Sequence, residues 1–209
     1  LKNKLLEGKL VVSIEQAVAA PYCSVRLADA GARVIKVERN EGDFARYYDN
    51  FVKGDSTYFV WLNRGKESFV ADIKKTQDQI FLKKLILESD IFIQNLLPGT
   101  LEKFKLDSKS LRKKNKKLIT CDISGYGSLG SYSKTKAYDL LIQAETGLCS
   151  LTGDERNPGR VGVSVCDIAC GMNAYTLILE ALIKRNNTGT GSAIKISLFD
   201  SLSEWMNVP

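Results

Sequence analysis

The sequence predicts an α/β domain with an open, largely parallel sheet and flanking helices. Three observations carry this: short apolar runs alternate with helix-periodic stretches, the opening segments form a βαβ pattern, and the composition is that of a packed globular chain. With 209 residues, 44% of them hydrophobic, one domain buries roughly 70% of the surface its unfolded form exposes. Charged residues are 26% of the chain and prolines number four, which excludes disordered and collagen-like classes. No run approaches the ~18 apolar residues of a spanning helix, so no membrane segment is expected.

Taken in order, Leu10-Val11-Val12-Ser13-Ile14-Glu15 reads as a buried strand, followed by a helix starting near Pro21 and ending at Gly31. Arg33 to Glu38 reads as a second strand parallel to the first. Ser68 to Ala71 is strand-like. Thr76-Gln77-Asp78-Gln79 has capping-box spacing before a helix whose apolar face is Ile80, Phe81, Leu82, Leu85 and Ile86. A strand over Ile91-Phe92-Ile93 precedes Pro98-Gly99, and another covers Lys117 to Ile123. A helical stretch from Tyr138 to Leu151 follows the glycine-rich Gly125 to Gly130 loop. Val161 to Cys166 reads as strand-like or extended, with Asp167 at the cap of a long helix from Ile168 to about Lys184. Asn186 to Gly191 turns the chain into a strand from Ile194 to Phe199, and Ser201 to Trp205 is helix-compatible.

The chemistry is bounded by an absence: the chain has no histidine, which excludes imidazole bases, Ser-His and Cys-His pairs and HExxH sites within it. The five cysteines contain no CxxC pair and read as buried thiols, with neither a disulfide framework nor a metal site. Lys+Arg exceed Asp+Glu by 30 to 24, with a basic run from Lys105 to Lys117. That run lacks aromatics for base stacking and reads as a solvated helix and turn, so no nucleic-acid partner is expected. The basic balance suits an anionic ligand.

Gly125-Tyr126-Gly127-Ser128-Leu129-Gly130 fits GxGxxG after a strand but is followed by a poor helix start, and it reads as a turn. Asp167 is the carboxylate of interest, because an ionised carboxylate at a helix start is a nucleophile that needs no base. The alternative is a plain capping residue. Arg39 and Asn63-Arg64-Gly65-Lys66 put polar groups at element ends where α/β proteins bind ligands.

With those pieces in place, the chain resembles the class III coenzyme A-transferase family, which includes formyl-CoA and carnitine CoA-transferases. The matching segments, in family order, are Ala19-Ala20-Pro21, Leu27 to Arg39, Gly42-Asp43, Asn63 to Lys66, Asn95 to Gly99, Ser124 to Gly127, and Gly162 to Gly171 around Asp167. The resemblance implies a Rossmann-like large domain over 1–209 that is the N-terminal portion of a longer chain, its small domain and C-terminal return segment not included. It implies coenzyme A transfer between an acyl-CoA and a small carboxylic acid through an aspartyl anhydride and an aspartyl-CoA thioester at Asp167, without a metal. By position, Val18, Ala19, Arg39, Asn63, Lys66, Asn95, Leu96 and Lys103 would contact coenzyme A, with Lys136 and Asp139 near the reacting centre.

An interlocked homodimer is also implied, as is an active site closed by a glycine-rich loop from the later part of a longer chain. The related α-methylacyl-CoA racemases use a histidine where this chain has Tyr138, so racemisation would lack its base. Glu15 to Pro21, Gly42 to Arg46 and Tyr58 to Asn63 look like members that handle small dicarboxylates, and Arg46 could pair with a second substrate carboxylate or form a surface contact. A non-catalytic acyl-CoA binding module is the alternative function. The leading Leu1 to Glu7 has no apolar signal core, which predicts a cytoplasmic chain. The stop at Pro209, just past a strand, reads as a cut in a longer protein.

Overall fold

The computed structural model describes residues 4–207; both chain ends discussed above, at 1–3 and 208–209, lie outside the described residues. The first half contains β1 (Leu10–Ile14), α1 (Ala19–Asp29), β2 (Arg33–Glu38), α2 (Thr57–Asn63), β3 (Lys66–Val70), α3 (Thr76–Glu88) and β4 (Ile91–Gln94). The second contains α4 (Ser108–Lys114), β5 (Ile119–Ser124), α5 (Asp139–Glu145), α6 (Leu148–Leu151), α7 (Val165–Thr188), β6 (Ala193–Ser197) and α8 (Leu198–Ser203).

The strands form one sheet in the order β3-β2-β1-β4-β5-β6, and every neighbouring pair is parallel. Both faces of its central strands are covered, which is why β1 and β4 read as continuous apolar runs with no alternation. On one face Val11, Ile91, Ile93 and Cys121 pack against Ala20 of α1, Cys170 and Ile178 of α7, and Leu202 of α8. On the other, Val12, Ile14 and Phe92 pack against Leu82 and Ile86 of α3 and Leu111 of α4. Strand order reverses between β1 and β4, which opens a crevice at their carboxyl ends.

Helix α7 is long and apolar enough to cross a membrane by length and composition, contrary to the sequence expectation that no run comes close. Its Cys166, Cys170, Ala174 and Ile178 stripe is buried against the sheet and α1, as a core helix requires. Gly171 permits that approach: a Cβ there would lie 2.6 Å from the Ala19 carbonyl oxygen and 3.0 Å from the Tyr22 Cβ.

Several boundaries differ from the sequence reading. At α3 there is no capping box: Lys75 occupies the cap position, the Asp78 carboxylate accepts from the Asp72 amide (2.8 Å), and the Gln79 amide donates to the Ile73 carbonyl (2.9 Å). Those side chains fix the preceding turn instead. The Tyr138–Leu151 helix is two short helices, broken at Gly147 in a left-handed conformation. Val161 to Ser164 is loop, not strand, its Val161 amide donating to the Gln143 side chain (2.8 Å) and not to a sheet neighbour. β6 stops at Ser197, whose hydroxyl accepts from the Asp200 amide (3.0 Å) and starts α8. The basic run is α4 and its turn, capped by Asp107 accepting from the Ser110 amide at 2.9 Å.

Gly171→Ala should lower the urea midpoint. Overpacking costs about 1–3 kcal/mol and exceeds the ~0.8–1.0 kcal/mol an alanine gains in a helix. An unchanged or higher midpoint would show that α1 and α7 separate freely.

Candidate active site

A cleft of about 660 Å³ opens at the carboxyl ends of β1, β4 and β5, at the point where strand order reverses. Its walls are the Gln16–Ala19 turn after β1, Asn95 and Leu96 after β4, Ser124 and Gly125 after β5, and the Lys136–Asp139 stretch. Asp167 lies among the lining residues, in the first turn of α7.

Asp167 does not cap its helix. Ser164 holds the cap position without a side-chain bond, and the first-turn amides are served from α5 instead: Asp139 Oδ1 accepts from the amides of Cys166 (2.7 Å) and Asp167 (3.4 Å). Asp139 Oδ2 accepts from the Gln143 side-chain amide at 2.6 Å, which fixes the capping carboxylate in turn. Asp167 is therefore denied the stabilisation a capping carboxylate enjoys. Burial, together with the charge of Asp139, pushes its carboxyl up to about 7, and the Ala19 amide at the start of α1 opposes the shift. The expectation of an aspartate held ionised by a cap is corrected: this one is poised to gain or lose its proton near neutrality.

The β1–α1 turn is tightly held. Asn95 clamps Gln16 from both sides, accepting from its amide (3.0 Å) and donating to its carbonyl (2.8 Å). Ala17 is left-handed, with φ 64°, a conformation that costs a non-glycine residue about 1–2 kcal/mol. Tyr48, also lining the cleft, has its phenol pushed up to about 12 by burial, with the charges of Asp43 and Asp167 adding to the effect, so it stays a hydrogen-bond donor. Lys136 and Arg160 are the cations among the described lining residues.

Residues 6–209 match the family described as CoA-transferase family III. The chain belongs to that family. Within CoA-transferase family III it is 37% identical over 201 residues to succinyl-CoA:glutarate CoA-transferase of Mus musculus, covering 95% of this chain and 46% of that protein. It is 34% identical over 197 residues to acetyl-CoA:oxalate CoA-transferase of Acetobacter aceti, covering 93% of this chain and 51% of that one. A solved CAIB/BAIF family protein from Brucella suis superposes with a TM-score of 0.93 at 37% identity, covering 99% of this chain and 56% of that one. The chain spans about half the length of the curated relatives it matches.

Against the positions inferred from the family III resemblance, the cleft brings together Val18, Ala19, Asn95, Leu96, Lys136, Asp139 and Asp167. The other four lie outside its lining. Asn63 and Lys66 belong to a buried ionic network, where Lys66 Nζ meets Glu15 Oε1 at 2.7 Å and Asn63 Oδ1 at 3.1 Å. Arg39 is exposed, donating to the Gly42 carbonyl at 3.1 Å, and Lys103 is exposed beyond the Pro98-Gly99 turn. Arg46 is committed within the protein: it pairs with Glu38 through Nε (3.0 Å) and a terminal nitrogen (2.9 Å), and stacks on Phe59. Arg160 and Tyr48 escaped the sequence reading; an isolated arginine in a glycine- and proline-rich loop carries no pattern that marks it.

Asp167 also governs a pH-dependent stability. Because the folded chain holds this proton more tightly than the unfolded one, whose carboxyl has the ordinary value of 3.8, stability is lost as pH rises from there to about 7 and is level above. The stability gained by Asp167→Asn should thus be small near about pH 4, grow until about pH 7 and then stay constant. In an Asp139→Asn background, which keeps an oxygen cap but removes the charge, that growth should shrink. Urea midpoints across the range check both; a gain independent of pH would contradict the shift.

Proposed function

We propose that the protein moves coenzyme A from an acyl-CoA donor to a carboxylic acid acceptor, a small dicarboxylate, with Asp167 as the nucleophile. The single observation that carries this is a partly buried carboxylate lining a cleft beside the start of α1, its carboxyl raised by burial and by Asp139, in 209 residues with no histidine. Such a group is strongly nucleophilic once ionised, because little water solvates it and nothing must first remove a proton from an alcohol or thiol. The cysteines support the same choice: burial pushes the thiols of Cys23, Cys121, Cys166 and Cys170 up, so none is a thiolate near neutrality.

In the proposed cycle, an Asp167 oxygen bonds to the acyl carbon of the donor thioester, the C–S bond breaks, and coenzyme A leaves as thiolate. The thiolate then attacks the carbonyl carbon of Asp167, which releases the donor acid and leaves an aspartyl thioester. The acceptor carboxylate attacks that thioester to form a second anhydride, and the returning thiolate takes the acceptor acyl group and frees Asp167. The first and third steps exchange an acyl–sulfur bond for an acyl–oxygen bond and the second and fourth reverse the exchange, so the thioester energy is conserved without ATP.

Dicarboxylate acceptors are supported by the names of the relatives, which act on glutarate and oxalate, and by Lys136 and Arg160 in the cleft as partners for an anionic ligand. Arg39 and Lys103, exposed outside the cleft lining, would follow the coenzyme away from the reacting centre. The homodimer implied by the resemblance is supported by exposed apolar side chains beside the cleft, among them Tyr138, Leu140, Leu141, Val163 and Met172. A cytoplasmic setting agrees with five free cysteines.

The deciding experiment incubates the full-length protein with succinyl-CoA and then hydroxylamine, followed by peptide mass spectrometry. A hydroxamate at Asp167 that depends on acyl-CoA is expected. An unmodified Asp167 in a protein that binds coenzyme A would leave a binding module. Because only the carboxylate attacks, kcat should rise with pH through a midpoint near 7, the value to which burial and Asp139 raise Asp167. A flat profile from about pH 5 to 9 would place the controlling group elsewhere.

A further inference from the structure

Asp43 lies outside the cleft lining, on the connection between β2 and α2, yet its carboxylate reaches the turn that faces the nucleophile. It is almost fully buried. Oδ1 accepts from the amides of Ala17 (3.1 Å) and Ala45 (2.9 Å), while Oδ2 accepts from Lys36 Nζ at 2.7 Å. The backbone amide of Asp43 is itself held by Glu38 Oε2 at 3.0 Å. One side chain therefore ties the β1–α1 turn to the β2–α2 connection and to a buried lysine.

Ala17 needs such an anchor. Its backbone is left-handed without the licence of glycine, and such conformations persist only where the surroundings over-determine them. Asn95 fixes Gln16, one residue earlier, and Asp43 fixes Ala17 itself. Two residues further on, α1 begins at Ala19 with Val18 in the cap position and no side chain serving its amides. Ala19 and Asp167 both line the cleft, α7 passes close enough that a Cβ on Gly171 would lie 2.6 Å from the Ala19 carbonyl oxygen, and the Ala19 amide acts to lower the Asp167 carboxyl.

We propose that Asp43 is a positioning residue for the reaction at Asp167. Through the Ala17 amide it sets the Gln16–Ala19 turn, and with it the placement of the Ala19 amide against the nucleophile. The effect falls mainly on the orientation of the reacting carboxylate, because Asp43 itself lines no part of the cleft; since Val18 and Ala19 of the same turn also border the coenzyme path, a smaller effect on KM accompanies it. This rests on the functional reading of Asp167 given above.

Testing it requires the buried charge to be removed from both sides at once, since deleting Asp43 alone would strand Lys36. Two double variants of the full-length protein do this: Lys36→Met/Asp43→Asn keeps an oxygen acceptor for Ala17, and Lys36→Met/Asp43→Leu does not. In both, Glu15 retains Lys66 at 2.7 Å. With labelled acid and acyl-CoA, the asparagine variant should keep kcat within about threefold of the parent. The leucine variant should lose about tenfold or more in kcat with KM for acyl-CoA within about twofold.

Peptide hydrogen exchange over residues 15–20 should show parental protection in the first and loss of it in the second. Equal kcat in the two variants, a loss carried by KM, or equal protection would overturn the proposal. If the leucine variant does not fold, Lys36→Met/Asp43→Ala supplies the same comparison. Should the parent neither turn over nor be trapped at Asp167, the functional reading fails, while hydrogen exchange still decides whether Asp43 anchors the turn.

Discussion

A buried cluster of opposite charges is the constraint on which the N-terminal half depends. Lys36 of β2 and Lys66 of β3 are enclosed with Glu15 at the end of β1 and Asp43 beyond β2, two positive groups against two negative. Burial pushes the Glu15 carboxyl up, but Lys66 and Lys36 more than offset it and hold it below its ordinary value; burial likewise lowers Lys66, with Glu15 opposing. Removing any one member would leave an uncompensated buried charge, a loss of about 3–5 kcal/mol. The cluster adds little to net stability for the same reason, since desolvation consumes most of the Coulomb attraction. What it provides is connection: β1, β2, β3 and the start of α1 are linked through the ion pairs and hydrogen bonds of one cluster.

That arrangement explains the division of labour at the cleft. One wall is rigid, held by Asn95 on Gln16 and by Asp43 on Ala17, and it presents the amide end of α1. The other wall carries Asp167, whose ionisation is set first by burial and then by the charge of Asp139 from a different helix. The Gly125 loop, which carries a dinucleotide-like pattern, serves packing: Ala137 lies where a Gly125 side chain would be.

The sheet was largely legible because parallel strands covered on both faces must be apolar without alternation, and the runs at Leu10, Arg33, Ile91 and Ile119 stand out for that reason. Elements stabilised by contacts distant in sequence were not. α2 went unread because its Tyr58, Phe59, Val60 and Trp61 favour strand on propensity, while the Ser56 cap and the buried Leu62 decide for helix. The start of α7 was misplaced because its cap comes from Asp139, 27 residues away from the Cys166 amide it serves. At the site, seven positions named from the resemblance, Asp167 among them, do line one cleft, but spacing gave no sign that Lys66 and Arg46 are already engaged by carboxylates, and Asn63 by a lysine, of the fold.

The pairing of β5 with β6 joins Thr120 to Ala193, and everything between them is a single crossover. That crossover contains Lys136, Asp139, Arg160 and Asp167, whereas β1 and β4 supply the opposite wall from residues that precede it. Strands paired across so long a connection close late, since chain entropy must be lost before the contacts form. During synthesis from the N-terminus, the rigid wall and its charge cluster can therefore assemble around β1 to β4 while the nucleophile's helix is still incomplete. The turn that faces the nucleophile is thus made ahead of it in the chain, and the edge of β5 stays open to mispairing until β6 has been made.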